Sequence, residues 1–255
     1  MLDLIIVSIV QGITEFLPIS SSGHIAIAGG LLDIEFSVFL LVWLHASSLL
    51  AVLVYYYKDI WPLTRDLGLV CIRRQNEQGV FVLKLLGATT ITGVIGISAA
   101  TMFVENVTTT VIGLMLIATA GMIYLAESLR SYNRGNNFTW FHAAGVGLAQ
   151  GLAVVPGLSR SGTTIAYLVG AGIERERAVK ISFLLSIPTI AGALLFGLLG
   201  AESVTTLITA PYMFAFVVGF ITSLISIKLM NIWVFKIWKW FIPYCLVLGV
   251  ILILI

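Results

Sequence analysis

Leu17-Pro18-Ile19-Ser20-Ser21-Ser22-Gly23 interrupts an apolar segment that runs from about residue 2 to 31, and Val155-Pro156-Gly157-Leu158-Ser159-Arg160-Ser161-Gly162 interrupts another from about 141 to 172. Proline removes a backbone donor and clashes with the preceding turn, while serine offers the backbone local hydrogen bonds that compete with a helix. Each uninterrupted apolar stretch is therefore shorter than the ~20 residues a spanning helix needs. Non-helical backbone at membrane depth is tolerated only where protein or a water-filled cavity surrounds it. Both segments are expected to be re-entrant helix-loop-helix hairpins whose loops meet at one internal site.

Composition implies the membrane itself. Of 255 residues, 59% are hydrophobic and 10% charged, with a mean hydropathy of +1.07, whereas about a quarter of a soluble domain is charged. Six further stretches are long and apolar enough to cross a bilayer: 36–57, 80–103, 107–127, 178–199, 208–230 and 237–255. The expected fold class is an all-α integral membrane protein, six transmembrane helices plus two re-entrant hairpins, in a single membrane domain over 1–255. The first apolar run is not read as a signal peptide, because Asp3 is its only early charge and no basic region precedes it. A net charge of +2 gives no reason to expect a nucleic-acid partner. Cys71 and Cys245 have neither metal-ligand spacing nor a disulfide framework.

Gln11-Gly12, Ser20 and Ser22-Gly23 recur as Gln150-Gly151, Ser159 and Ser161-Gly162 at a constant offset of 139. Repeat one covers 1–130 and repeat two 140–255, each a hairpin followed by three spans. Three crossings leave the chain on the opposite face, so the repeats have inverted topology and the site lies near the midplane between them. Charge supports this layout. Asp3, Asp33, Glu35, Glu105 and Glu202 share the N-terminal face without a single basic residue, while thirteen of the fourteen Lys and Arg residues, Lys58, Arg73, Arg134 and Lys180 among them, fall on the other. The positive-inside rule makes that other face cytoplasmic. A multi-pass plasma-membrane protein is expected, with both termini outside, the polar stretch 58–79 as a cytoplasmic loop, and Arg134-Gly135-Asn136-Asn137 linking the repeats.

Arg160 is the one basic residue left at membrane depth, and Glu15 the carboxylate left beside the first loop. Ionisable groups there are costly and mark function by default; the blander reading is a structural salt bridge between the repeats. The surroundings exceed what a bridge requires. The first loop brings Ser20, Ser21, Ser22, Gly23 and His24, the second Ser159, Ser161, Gly162, Thr163 and Thr164. Helices starting near Gly23 and Gly162 would aim backbone N–H groups at an anion, and Arg160 adds a two-donor fork suited to phosphate. Gln11 and Glu15, four apart on one helical face, would point into the same space. The chemistry implied is phosphate binding beside a hydroxyl nucleophile, a histidine and a carboxylate.

Gln11-Gly12-Ile13-Thr14-Glu15 with the serine loop through His24 resembles the Glu/Gln-x-x-x-Glu motif and serine loop of the undecaprenyl-pyrophosphate phosphatase, or bacitracin-resistance, family. Pro156-Gly157-Leu158-Ser159-Arg160-Ser161-Gly162 resembles that family's Pro-Gly-x-Ser-Arg-Ser-Gly motif, and the stretches 44–53 and 182–188 extend the likeness over most of the chain. The resemblance implies a hydrolase that recycles a polyprenyl lipid carrier for peptidoglycan and cell-wall synthesis. By it, Glu15, Ser21, His24 and Arg160 are catalytic, and Gln11 takes the variable first position of the acidic motif. Ser21 would attack the terminal phosphorus, with His24 and Glu15 managing its proton; His24 as nucleophile and Glu15 activating water directly are the variants. The resemblance also implies a divalent cation, Mg²⁺ or Ca²⁺. With one carboxylate at the site, that ion would take its ligands from substrate phosphates. A transporter or flippase of a phosphate-bearing lipid is the rival reading, since inverted repeats around broken helices also build transporters. Oligomeric state is left open, a homo-oligomer included.

Other polar residues have plainer explanations. His45, inside a span, reads as a buried hydrogen-bonded histidine, and His142 as an interfacial one. Trp43, Trp61, Trp140, Trp233, Trp238 and Trp240 read as interface anchors. Ala88, Thr92 and Gly96, spaced by four, read as a close helix-packing face.

Overall fold

The computed structural model describes residues 1–33, 38–71, 77–103, 108–129, 137–199 and 209–255. Glu35, Arg73, Arg74, Glu105, Arg130, Arg134 and Glu202 lie outside the described residues. Among the described residues every regular element is helical: α1 Leu2–Thr14, α2 Ser21–Leu32, α3 Val38–Tyr55, α4 Tyr57–Cys71, α5 Glu77–Phe103, α6 Thr109–Leu129, α7 Trp140–Leu152, α8 Arg160–Gly170, α9 Arg175–Leu199, α10 Ala210–Ile237, a single 3₁₀ turn Trp238–Trp240, and α11 Phe241–Leu254.

The two interrupted segments fold as paired short helices, α1 with α2 and α7 with α8, in contact within each pair. At 1.5 Å per residue none of these four covers the ~30 Å hydrocarbon core. Their breaks have matching local causes. Ser20 and Ser159 act as N-caps, accepting from Gly23 N at 3.2 Å and Gly162 N at 3.1 Å, which satisfies a donor the first turn cannot pair internally. Gly157 takes a left-handed φ of +94°, and a Cβ there would sit 2.7 Å from the Ile112 carbonyl oxygen. Only glycine meets both demands.

Four helices, α5, α6, α9 and α10, contain windows long and apolar enough to cross a membrane, and α3 with α4 makes a fifth if that bent pair is one span. The chain is a multi-pass membrane protein. Two sequence expectations need correction. The stretch 58–79 is not a plain loop: 57–71 is helix α4, bent 82° from α3, with Trp61 exposed. Its apolar Ile60 and Leu63, three apart, pack against the core, while Lys58 and Arg65 are exposed, the two-faced pattern of an amphipathic helix. Trp238 is no interface anchor either, for it is fully buried with the Arg175 guanidinium over its ring at 5.9 Å. Trp61, Trp140 and Trp240 are exposed.

Helices of the two halves pack across one another: α1 on α10, α5 on α7, α3 on α9 and α6 on α11. Small residues permit the close approaches. Ala88 and Thr92 are buried, and Thr92 donates to Gly147 O at 3.0 Å. Basic side chains gather at one end of the bundle. Lys180 pairs with Asp59 at 2.6 Å, Lys84 donates to Phe138 O at 2.6 Å, and both Arg175 and Lys239 pair with Glu127. A Cβ on Gly12 would meet Gly219 O at 2.7 Å and Ser223 N at 2.9 Å, both backbone atoms of α10. Gly12→Ala is thus expected to cost about 1–3 kcal/mol by forcing α1 and α10 apart, read as a lower Tm in detergent.

Candidate active site

The breaks at residues 15–20 and 153–159, with the first turns of α2 and α8 that follow them, meet through three direct contacts. Gly157 N donates to Ser22 Oγ at 3.3 Å, Ser161 Oγ to Leu17 O at 2.9 Å, and Arg160 Nη2 to Glu15 Oε1 at 2.6 Å. Neighbouring helices hold each loop from behind. Thr119 of α6 accepts from Ser159 N at 3.1 Å, and Cys245 of α11 donates to Pro18 O at 3.6 Å. The positions Ser20/Ser22 and Ser159/Ser161 repeat the same geometry, each pair of hydroxyls 3.3 Å apart.

Glu15 is the hub. Its side chain is 6% exposed, and its second oxygen accepts from Ser21 Oγ at 2.6 Å and Gln11 Nε2 at 3.0 Å. Phe16, fully buried next to it, meets Phe183 edge to face at 5.2 Å and keeps that side apolar. Three side-chain donors, from Ser21, Gln11 and Arg160, thus converge on this one buried carboxylate, which is what a buried ion pair needs to offset its desolvation. Ser21 and Arg160 are both the first residues of their helices, so helix starts from the two halves place a hydroxyl and a guanidinium on one carboxylate.

His24 lies in the same loop but is held otherwise. Nδ1 is 2.7 Å from Ser20 O and donates to it; Nε2, the acceptor in that tautomer, takes the Tyr244 hydroxyl at 2.6 Å. The hydrogen of Ser21 goes to Glu15, not to His24. Ser20 has a φ of +69° while its counterpart Ser159 has −72°. Left-handed backbone on a non-glycine residue costs about 1–3 kcal/mol and gathers at functional sites; of the two loops only the one before Ser21 and His24 carries it, and Asp33 at the end of α2 is the other such residue among those described.

Three buried polar atoms here have no partner: Arg160 Nη1, Gln11 Oε1 and Thr163 Oγ1. Buried polar groups are nearly always paired, and an orphan calls for a ligand or other explanation. The Gly23 and Gly162 amides, by contrast, are spent on the serine caps and are not aimed at an anion. Among the described residues no three His, Cys, Asp or Glu side chains come together as a metal cage. Glu15 is the only carboxylate of either loop, both its oxygens accept from protein donors, and the orphan oxygens of Gln11 and Thr163 are neutral. These side chains do not fit a protein-held Mg²⁺ or Ca²⁺.

Two contacts escaped the sequence reading. His45 is not simply packed away: Nδ1 donates to Leu41 O at 2.7 Å, and Nε2 faces Glu15 Oε2 at 3.8 Å. Its four-residue spacing from Leu41 gave no sign of Glu15. Tyr244 stacks on His24 with rings 5.8 Å apart, a partnership 220 residues apart in sequence. His142 is structural as read, closing a capping box with Thr139.

Two broken helices that bring Ser21, Glu15 and Arg160 together, with Arg160 Nη1 buried and unpaired, define a multi-pass membrane protein with a buried polar cluster where its two interrupted segments meet. The chain matches the family described as bacitracin resistance protein BacA over residues 4–251, and it belongs to that family. It is 36% identical over 262 residues to the protein named undecaprenyl-diphosphatase 1 from Bacillus cereus, covering 98% of this chain and 96% of that one. With the undecaprenyl-diphosphatase of Methanosphaera stadtmanae it shares 33% identity over 277 residues, 100% and 97% of the two chains. The namesake from Alkaliphilus metalliredigens is 38% identical over 204 residues, 75% and 74%. The resemblance drawn from the two serine loops agrees with this membership.

Proposed function

We propose that this chain is a membrane phosphatase that converts a polyprenyl diphosphate to the monophosphate and inorganic phosphate. Family membership and the names of relatives matched over nearly their full length support the activity. The observation that carries the site assignment is Arg160, whose Nη2 is on Glu15 while Nη1 is buried with no partner, beside a serine hydroxyl already hydrogen-bonded to that carboxylate. In this reading the free arm of Arg160, with Thr163 and the loop hydroxyls, takes phosphoryl oxygens. Ser21 Oγ attacks the terminal phosphorus, the bond from that phosphorus to the bridging oxygen breaks, and the polyprenyl monophosphate leaves. Glu15 accepts the proton of Ser21. Water then cleaves the phosphoserine to release inorganic phosphate, and His24 Nε2, once parted from Tyr244, is the group that handles the second proton.

The deciding experiment is phosphate release by detergent-solubilised protein given polyprenyl diphosphates. Sustained release without a membrane gradient supports a phosphatase; no release, with binding intact, favours the transporter or flippase. Because the described residues offer no cage, a Mg²⁺ or Ca²⁺ serving the reaction is expected to arrive on the diphosphate oxygens. Chelation should then slow release yet leave the Tm of substrate-free protein unchanged.

The layout we favour has six crossings, α3, α5, α6, α9, α10 and the segment 238–254, with α1–α2 and α7–α8 re-entering from opposite faces. The reciprocal packing of α1 on α10 and α7 on α5 supports an inverted repeat. Clustered basic residues at one end support that end as cytoplasmic and both termini as outside. In intact cells, and with Cys71 and Cys245 replaced, a cysteine at Asp33 should react with an impermeant thiol reagent. One at Lys58 should react only after permeabilisation. The opposite pattern reverses the orientation.

A further inference from the structure

An apolar groove of about 430 Å³ lies between α6, α7 and α8, outside the polar cluster. On α8 it is lined by Thr163, Ala166 and Gly170, and on α6 by Met122, Leu125 and Leu129, with Leu152 of α7 on the third side. Those spacings of three and four put each set on one helical face. Both walls start one turn beyond the second loop, since Thr163 follows Arg160 by three residues and Met122 follows Thr119, the acceptor of Ser159 N. The groove therefore begins where the candidate site ends. Thr163 is shared by both: it is 3% exposed, and its hydroxyl has no partner. Beyond it the lining is almost wholly hydrocarbon. Gly170 leaves room that no neighbour occupies, for a Cβ there would meet nothing nearer than Ala126 Cα at 3.8 Å.

The unpaired Thr163 hydroxyl at one end, one turn along α8 from Arg160, and a hydrocarbon trough leading away from it match a ligand with a phosphate head and an apolar tail. We infer that this groove holds the first isoprene units of the substrate's polyprenyl chain and so reads the tail, an inference that rests on the phosphatase reading above. The continuity through Thr163 favours the substrate tail over an unrelated lipid acyl chain. At about 30 Å³ per small group, the liquid share of a water molecule, the volume holds roughly three five-carbon units. A tail leaving a bilayer gains little hydrophobic free energy, so the groove acts by packing and by fixing the angle at which the diphosphate enters.

The test compares one-unit and three-unit prenyl diphosphates as substrates. Gly170→Leu fills the far end of the groove, and Leu125→Trp narrows it independently from the lipid side. Each variant is expected to lower kcat/KM for the three-unit substrate by about tenfold or more, the discrimination usual for an apolar pocket, while that for the one-unit substrate stays within about twofold. Equal losses on both substrates, or no loss on either, overturn the inference and leave the groove to ordinary membrane lipid. Failure of the wild-type protein to release phosphate from any chain length overturns the phosphatase reading instead.

Discussion

Glu15→Gln is expected to lower turnover by about two to four orders of magnitude, the range for a positioned proton acceptor. Ser21 Oγ lies 2.6 Å from Glu15 Oε2, and no other carboxylate belongs to either loop, so an amide leaves the serine without a base. Stability has to be separated from chemistry, because the same substitution leaves the Arg160 cation buried without its counter-charge, and breaking a buried pair costs about 3–5 kcal/mol. Glu15→Asp keeps the charge but withdraws the carboxylate by one methylene. It should melt closer to wild type and still turn over slowly. His24→Ala belongs in the same range as Glu15→Gln, and Tyr244→Phe, which keeps the ring stack and loses only the hydroxyl, should fall less. Steady-state phosphate release normalised to folded protein is the measurement; near-normal turnover in Glu15→Gln would remove Glu15 from the proton path.

The sequence exposed the interrupted helices because proline, glycine and serine break an apolar run in a way visible without a partner. It exposed Glu15 and Arg160 for a related reason, since a charge within a hydrophobic segment is conspicuous wherever the chain goes. Pairwise geometry was another matter. That Ser21 bonds Glu15 while His24 turns to Ser20 and Tyr244 depends on side-chain rotamers and on how α11 packs against the first loop, neither of which has a sequence period. His45 was read as a hydrogen-bonded helical histidine, and the bond to Leu41 O agrees; its approach to Glu15 at 3.8 Å is a contact across the fold that no sequence period announces. The stretch 58–79 looked like a loop because charge and Pro62 dominate it. Yet Pro62 lies inside α4 and removes one intrahelical hydrogen bond without ending the helix, and tertiary contacts such as Lys180 with Asp59 fix the first turn of α4.

Arg160→Lys is expected to lose about two to three orders of magnitude in turnover with little change in Tm. Lysine keeps the charge, and its Nζ can replace Nη2 at Glu15 Oε1, which is all that an ion pair between the repeats needs. It cannot at once supply the second donor that Arg160 Nη1 places, unpaired and buried, in the same site. Removing one preorganised donor to a transferring group usually costs about 10²–10³ in rate. Because the contact strengthens as charge grows on the phosphoryl oxygens, the loss should appear mainly in kcat rather than KM. Arg160→Ala should lose activity and stability together, since it leaves the Glu15 carboxylate buried with only Ser21 and Gln11 as donors. Joining Glu15→Gln to Arg160→Ala removes both charges, and by a double-mutant cycle should regain much of the Tm while recovering no turnover. If Arg160→Lys instead shows wild-type kinetics, the guanidinium fork is dispensable and Arg160 is a structural counter-ion to Glu15.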